Sequence, residues 1–344
     1  MISEWSILRP VNPHTTPRFD VADAVRMARG IYGLNVEARP LPSERDQNFA
    51  LQSEAGEKFV LKIAKSDEAR QLLELQNAAL RHVARRAPTL AVQRVIETPQ
   101  GEDIVTITGA QGQSYFLRLM TWLEGEIFVH AGPHDAMLLE SLGSTMAELD
   151  LALKDFSHPA MRRELHWDIK HAGLALQYLP MLSSSQQATV RRLMTAWGTI
   201  EWRDLRHSVI HGDANDYNVL VRQGRVAGLL DFGDMVYSAT ACDLAIALAY
   251  AMLDKTEPLT AAAAVISAYH ARFPLTDAEK GALFSLTAAR LCMSACYAAH
   301  NAEAKRGDAY QLVSAGPVSE LLQRLDAMPL DVLQNSFRNA CTPL

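Results

Sequence analysis

The sequence offers little for a lipid bilayer, a nucleic acid or an oxidising compartment. No segment approaches the ~20 uninterrupted apolar residues of a membrane-spanning helix, and the richest stretch, Ala239 to Met252, is interrupted by Asp243. The N-terminal run MISEWSILRPVNPHTTP lacks the basic start and apolar stretch of a signal peptide, so a cytoplasmic setting is expected. Thirty-three Lys and Arg against 39 Asp and Glu leave a formal net charge of −6, which gives no electrostatic footprint for nucleic acid. Four cysteines among 344 residues do not make a disulfide framework. Cys292 and Cys296 share a helix face, but His300 is the only further donor nearby, so they read as buried small residues rather than a metal pair. Internal repeats and low-complexity tracts are absent as well. Nothing here bears on oligomeric state.

What is present is an ordinary globular composition, 49% hydrophobic and 21% charged, in a chain long enough for one or two domains or two lobes sharing a cleft. Phe19 to Tyr32 reads as a helix stopped by Gly33. VEARPL, FALQS and FVLKIA then read as strands, separated by the turns SERDQN and EAGEK. A helix over Ser66–Ala84 follows, and two more strands, Asp103–Thr108 and Ser114–Met120, flank the turn GAQGQ. Beyond Gly125 the pattern is mostly helical: Asp135–Leu151, His166–Leu179, Ser185–Leu205, Ala239–Asp254, Leu259–Ala271, Asp277–Ala304 and Ser319–Ala327. Two short strands, VLVR and VAGLLDF, interrupt it around Gln223 and Gly224. The expected fold class is α+β: an N-terminal lobe over 1–120 with a small antiparallel sheet, a hinge over 121–125, and a mainly helical C-terminal lobe over 126–344.

The chemistry-bearing stretch is VIHGDANDYNVLVRQGRVAGLLDFGD. It places Asp213, then Asn218 five residues on, then Asp231 thirteen further. Phosphoryl transfer needs a carboxylate to orient the attacking hydroxyl and accept its proton. It also needs oxygen ligands to hold Mg²⁺ against the phosphates, and a cation to steady the transferring group. Asp213 on a loop suits the first task. Asn218 and Asp231 suit the second if the hairpin between them folds back on itself.

The run His211-Gly212-Asp213-x-Asn215-x-x-Asn218 resembles the catalytic motif of the aminoglycoside phosphotransferase and choline kinase superfamily. The resemblance spans about Phe19 to Ala327 and implies a bilobal protein-kinase-like fold. It also implies Asp213 as catalytic base, Asn218 and Asp231 as Mg²⁺ ligands, and His211 as a brace for the loop. Lys62, in FVLKIA, would contact the α- and β-phosphates of ATP or GTP, paired with a helix carboxylate for which Glu74 is the choice and Gln76 the competing position. Ser43 and Asn48, in the turn between the first two strands, would donate to phosphate oxygens. The main chain of Thr121 and Leu123, with Met120 behind, would meet the nucleobase. A protein kinase is not expected, since no Ala-Pro-Glu motif or long activation segment follows Asp231.

Several pieces resemble the hydroxylysine kinase-like branch: Arg45-Asp46-Gln47-Asn48-Phe49, Leu75-Gln76-Asn77, Arg118-Leu119, Trp122-Leu123-Glu124-Gly125 and His166-Trp167-Asp168. That branch implies a small amino compound bearing a hydroxyl as acceptor. Asp234 and Asp168 are candidates to hold its ammonium group, and Arg290 a candidate for a carboxylate. Aminoglycoside, homoserine or choline-type phosphorylation, and a catalytically inactive nucleotide-binding module, are the alternatives.

Overall fold

A computed structural model describes residues 16–43, 46–304 and 315–342. The N-terminal run bearing on a signal peptide, and Glu44 and Arg45 of the first turn, lie outside the described residues. By its contacts the chain divides into two compact units, Met1–Glu124 with His158–Ala160, and Gly125–Ser157 with Met161–Leu344.

The first unit opens with α1 (Val21–Tyr32), whose start is closed by a reciprocal Asp20–Asp23 capping box. Gly33 ends it at φ 71°, a left-handed position open to glycine without strain. There follow β1 (Val36–Leu41), β2 (Gln47–Ser53), β3 (Lys58–Ile63), α2 (Arg70–Arg86), β4 (Val95–Ile96), β5 (Val105–Thr108) and β6 (Ser114–Thr121). The strands form one antiparallel sheet in the order β1-β2-β3-β6-β4, with β5 also paired to β6. Phe49, Leu61 and Leu119 stand in register across it and pack with Ala24, Ala28 and Tyr32 of α1. Strand side chains alternate between faces. Lys62 therefore shares the opposite face with its cross-strand partners Asn48 and Arg118. Arg118 is buried there and donates to Asn77 Oδ1 (2.9 Å) and Gln76 Oε1 (2.8 Å), which docks α2 on the sheet.

The second unit runs β7 (Glu126–Ile127), α3 (Ala136–Leu153), α4 (Ser184–Trp197), β8 (His207–Ile210), β9 (Val219–Arg222), β10 (Arg225–Leu229), β11 (Val236–Ala239), α5 (Ala241–Ala251), α6 (Pro258–Arg272), α7 (Asp277–Ala304), α8 (Ala315–Asp326) and α9 (Leu330–Asn339). The segment expected as a helix over His166–Leu179 is instead a 3-10 stretch, Ile169–Met181, kinked at His171 and carrying Pro180. The helix expected to reach Leu205 stops at Trp197, where Gly198 follows. Asp277–Ala302 of α7 is long and apolar enough to cross a membrane by length and composition, yet 78% of its apolar window is buried inside the protein. It is a core helix, and Cys292 and Cys296 are free thiols within it.

Candidate active site

The residues singled out around Asp213 come together at a loop between two short ladders. β8 leads into the loop and pairs antiparallel with β11; β9 and β10 form the hairpin that follows it. Gly212 sits at φ 80°, and a Cβ there would lie 2.4 Å from the carbonyl oxygen of Asp234. Only glycine allows that approach. The His211 ring accepts from the Asp213 N–H at Nδ1 (3.2 Å) and meets Leu230 O through Nε2 (2.9 Å), which leaves its proton on Nε2. It is fully buried against Phe232, so it braces the loop.

Asp213 is held on every side. Asn215 Nδ2 and Asn218 Nδ2 each donate to its Oδ2 at 2.9 Å, and Arg290 Nη2 donates to Oδ1 at 2.7 Å. The carboxylate itself stays 23% exposed, whereas Arg290 is buried behind it. Burial pushes the Asp213 carboxyl up to about 6, against the pull of Arg290 and with the charge of Asp234 adding to the rise. It is therefore largely ionised at neutral pH and free to take a proton.

Asn218 spends its amide nitrogen on Asp213, donating to both the carboxylate and the main-chain oxygen (2.9 Å each), so its side-chain oxygen faces away from those bonds. The hairpin closes as expected: the Leu230 N–H donates to Asn218 O at 2.8 Å, which makes Asn218 and the residue after Leu230 neighbours. That residue is Asp231, turned outward in a left-handed conformation (φ 52°) with Oδ1 accepting from the Gly233 N–H. The Asn218 amide oxygen and the Asp231 carboxylate, at the two ends of this hairpin, are hard donors of the kind Mg²⁺ takes. Among the described residues no cluster of three or more His, Cys, Asp or Glu is placed to cage a metal alone. The pair suits an ion completed by phosphate oxygens and water.

Other expected residues are placed differently. Arg290 is engaged with Asp213 and lies 4.5 Å over the Trp167 ring, so its charge is taken up by that carboxylate rather than left for one on a substrate. Asp168 is buried, caps the 3-10 stretch at Lys170 N and accepts from Ser238 Oγ (2.7 Å); it is structural and not an ammonium site. Asp234 is 12% exposed, 3.9 Å from Arg163, and close enough to influence Asp213.

In the first unit, Glu74 is bonded to Arg70 (3.0 Å) and 44% exposed. Gln76 and Asn77 take the inward face, and two residues turn a helix by ~200°, so Glu74 points outward and is not the partner expected for Lys62. Asn48 belongs to β2 rather than to the turn, with Oδ1 buried and unbonded. Ser43 is exposed at the border of the described residues. Met120 is buried. Thr121 has its N–H bonded to Arg94 O (2.9 Å) and its carbonyl accepting from Gln93 Nε2 (3.3 Å), so its main chain is occupied by the protein itself. Leu123 follows β6 as irregular chain.

Asp243 is the residue that sequence reasoning passed over. It is fully buried in the first turn of α5, and its two oxygens accept from the main-chain N–H groups of His211 and Gly212, at 2.8 Å each. Behind it Asp150 accepts from Tyr269 Oη at 2.6 Å. Burial, then the charge of Asp243, holds the Asp150 carboxyl well above the usual carboxylate range, so it keeps its proton. The signal was legible: an aspartate inside an otherwise apolar helix needs a buried partner.

The profile of the Phosphotransferase enzyme family matches residues 37–284. Hydroxylysine kinase of Mus musculus is 29% identical over 319 residues, covering 83% of this chain and 84% of its own. Among solved structures, a microcompartment-associated aminopropanol kinase superposes with a TM-score of 0.70 at 18% identity, over 90% of this chain and 100% of that one. An amicoumacin kinase in complex with AMP-PNP and Ca²⁺ does so with a TM-score of 0.68 at 15% identity, over 89% and 94%. These last two likenesses establish the fold.

Proposed function

The chain belongs to the phosphotransferase enzyme family, and on that premise we propose that it moves the γ-phosphoryl group of ATP or GTP to a hydroxyl of a small amino compound. The acceptor is a hydroxyamino acid like hydroxylysine or an amino alcohol, and the setting is cytoplasmic. The observation that carries this reading is the fixed Asp213 carboxylate, on a loop whose hairpin returns the chain from Asn218 to Asp231. Asn215, Asn218 and Arg290 hold that carboxylate in one orientation, which leaves one lone pair, on Oδ1, for the attacking hydroxyl. As the oxygen attacks phosphorus, its proton passes to Asp213. Asn218 and Asp231 would hold Mg²⁺, which supplies neutralisation of the phosphate charge. Lys62 is assigned to the phosphates, on the sheet face it shares with Asn48 and Arg118.

A nucleotide-coupled assay over a panel of hydroxylated amines and amino acids, run with ATP and with GTP, tests the reading. An active acceptor is expected, and Asp213→Asn is expected to lower kcat about 10²- to 10⁴-fold. Full activity in that variant refutes the role given to Asp213.

A further inference from the structure

The second unit contains a cavity of about 320 Å³ that no role described so far uses. Asp216 lines it. That residue stands three positions past Asp213 on the same loop, and its place is fixed because its carbonyl accepts from the Val129 N–H (3.1 Å). Its side chain is buried to 6% exposure, and Oδ1 has no hydrogen-bond donor. A buried carboxylate oxygen without a donor is costly, and proteins rarely leave one unmatched. The cation in the same wall does not match it: Lys255 directs its ammonium at His134 Nδ1 (2.8 Å) and Leu253 O (3.1 Å). A second carboxylate, Asp254, lines the same cavity from an exposed turn held at φ 56°.

The cavity also comes close to the reacting centre. Tyr250 forms part of its wall, and the Tyr250 hydroxyl lies 3.5 Å from Arg290 Nη2, the same nitrogen that bonds Asp213. A molecule in the cavity therefore lies one side chain away from the pair that holds the base. Asp216 and Asp254 line the cavity together with Lys255; burial pushes the Asp216 carboxyl up to about 7, and a cation bound against it favours its ionised form. An ammonium group has three donors and a positive charge, and it satisfies the orphaned oxygen.

We infer that this cavity is the amine subsite of the acceptor, in which the ammonium group binds against the carboxylates of Asp216 and Asp254 while the hydroxyl is presented to Asp213. The inference rests on the proposed kinase reading and adds the residues that select the substrate class. It moves that role away from Asp168 and Arg290, which the fold consumes.

The test compares kcat/KM for a hydroxylated primary amine and for the same alcohol with the amino group replaced by hydrogen, in the wild type, Asp216→Asn and Asp254→Asn. The wild type is expected to prefer the amine at least about tenfold, the ratio one lost charge contact produces, and both substitutions are expected to collapse that preference. Asp254 is exposed and asparagine tolerates its left-handed backbone, so that variant carries the test if Asp216→Asn fails to fold by circular dichroism. Preference retained in the folded variants overturns the subsite and leaves the kinase reading standing. A wild type that phosphorylates other alcohols but no hydroxylated amine overturns the proposed acceptor class and the subsite with it.

Discussion

Replacing Asp243 with asparagine probes the floor on which the catalytic loop stands. The aspartate gives one oxygen to the His211 N–H and the other to the Gly212 N–H, both at 2.8 Å and both fully out of water. Asparagine keeps one acceptor and turns an NH₂ group toward the second N–H. Losing one hydrogen bond to a charged acceptor costs about 1.5–3 kcal/mol, and stranding the buried N–H adds about 1–3 kcal/mol. The sum, about 2.5–6 kcal/mol, is a large share of the 5–15 kcal/mol that typically separates folded from unfolded protein. Part of the loss is expected as lower stability in urea denaturation. The rest is expected as a displaced loop, and a shift of ~1 Å at a reacting group costs about 100-fold in rate. The nucleotide KM should change little beside kcat. A variant that keeps wild-type kcat and loses under ~1 kcal/mol of stability would refute the claim that these two bonds position the loop.

Three further outcomes follow from the same geometry. Asp150→Asn keeps the shape and hydrogen bonding of a carboxyl that stays protonated in the fold. The native protein binds a proton there that the unfolded chain releases above its ordinary value of 3.8, so this group's contribution to stability falls as pH rises through that value toward the raised native one. Urea denaturation across pH should show the wild type losing stability relative to Asp150→Asn as pH rises, and parallel curves would show that Asp150 ionises normally. Gly212→Ala forces a Cβ to 2.4 Å from Asp234 O at φ 80°. The left-handed penalty alone is about 1–2 kcal/mol, so melting should reveal a loss larger than that, and a neutral result would contradict the close approach. Arg290→Met removes the guanidinium that orients Asp213; kcat is expected to fall about 100-fold, with recovery in part by Arg290→Lys, and an unchanged kcat would show that the ion pair does not serve the base.

The parts of the site legible in the sequence are those whose chemistry sits in a short stretch of chain. His211, Asp213, Asn218 and Asp231 are joined by one loop and one hairpin, and local turn chemistry is enough to bring them together. The N-terminal strands and α1 were legible for the same reason, because their alternation and caps are local. Where the reading failed, rotation or length decided. Glu74 and Gln76 are two positions apart, and which one faces the sheet depends on Arg118, distant in the chain and buried. Four-residue β8 and β11 are too short to show a period and exist because they pair with each other.

The sequence by itself determined the residues of the proposed chemistry: a carboxylate for the base, two oxygen donors and a lysine on an interior strand, set at spacings that local folding preserves. Only the tertiary structure decided which charges remain for a substrate. Asp243 and Arg290 look alike as lone charged residues on apolar helices, yet each is paired, as Asp168 is, with a partner far away in the chain. Asp216, which carries no mark in the sequence, is left buried beside a cavity with an oxygen unmatched. Burial and pairing are properties of neighbours brought together by folding, and a charge in low dielectric is worth what its neighbours make it.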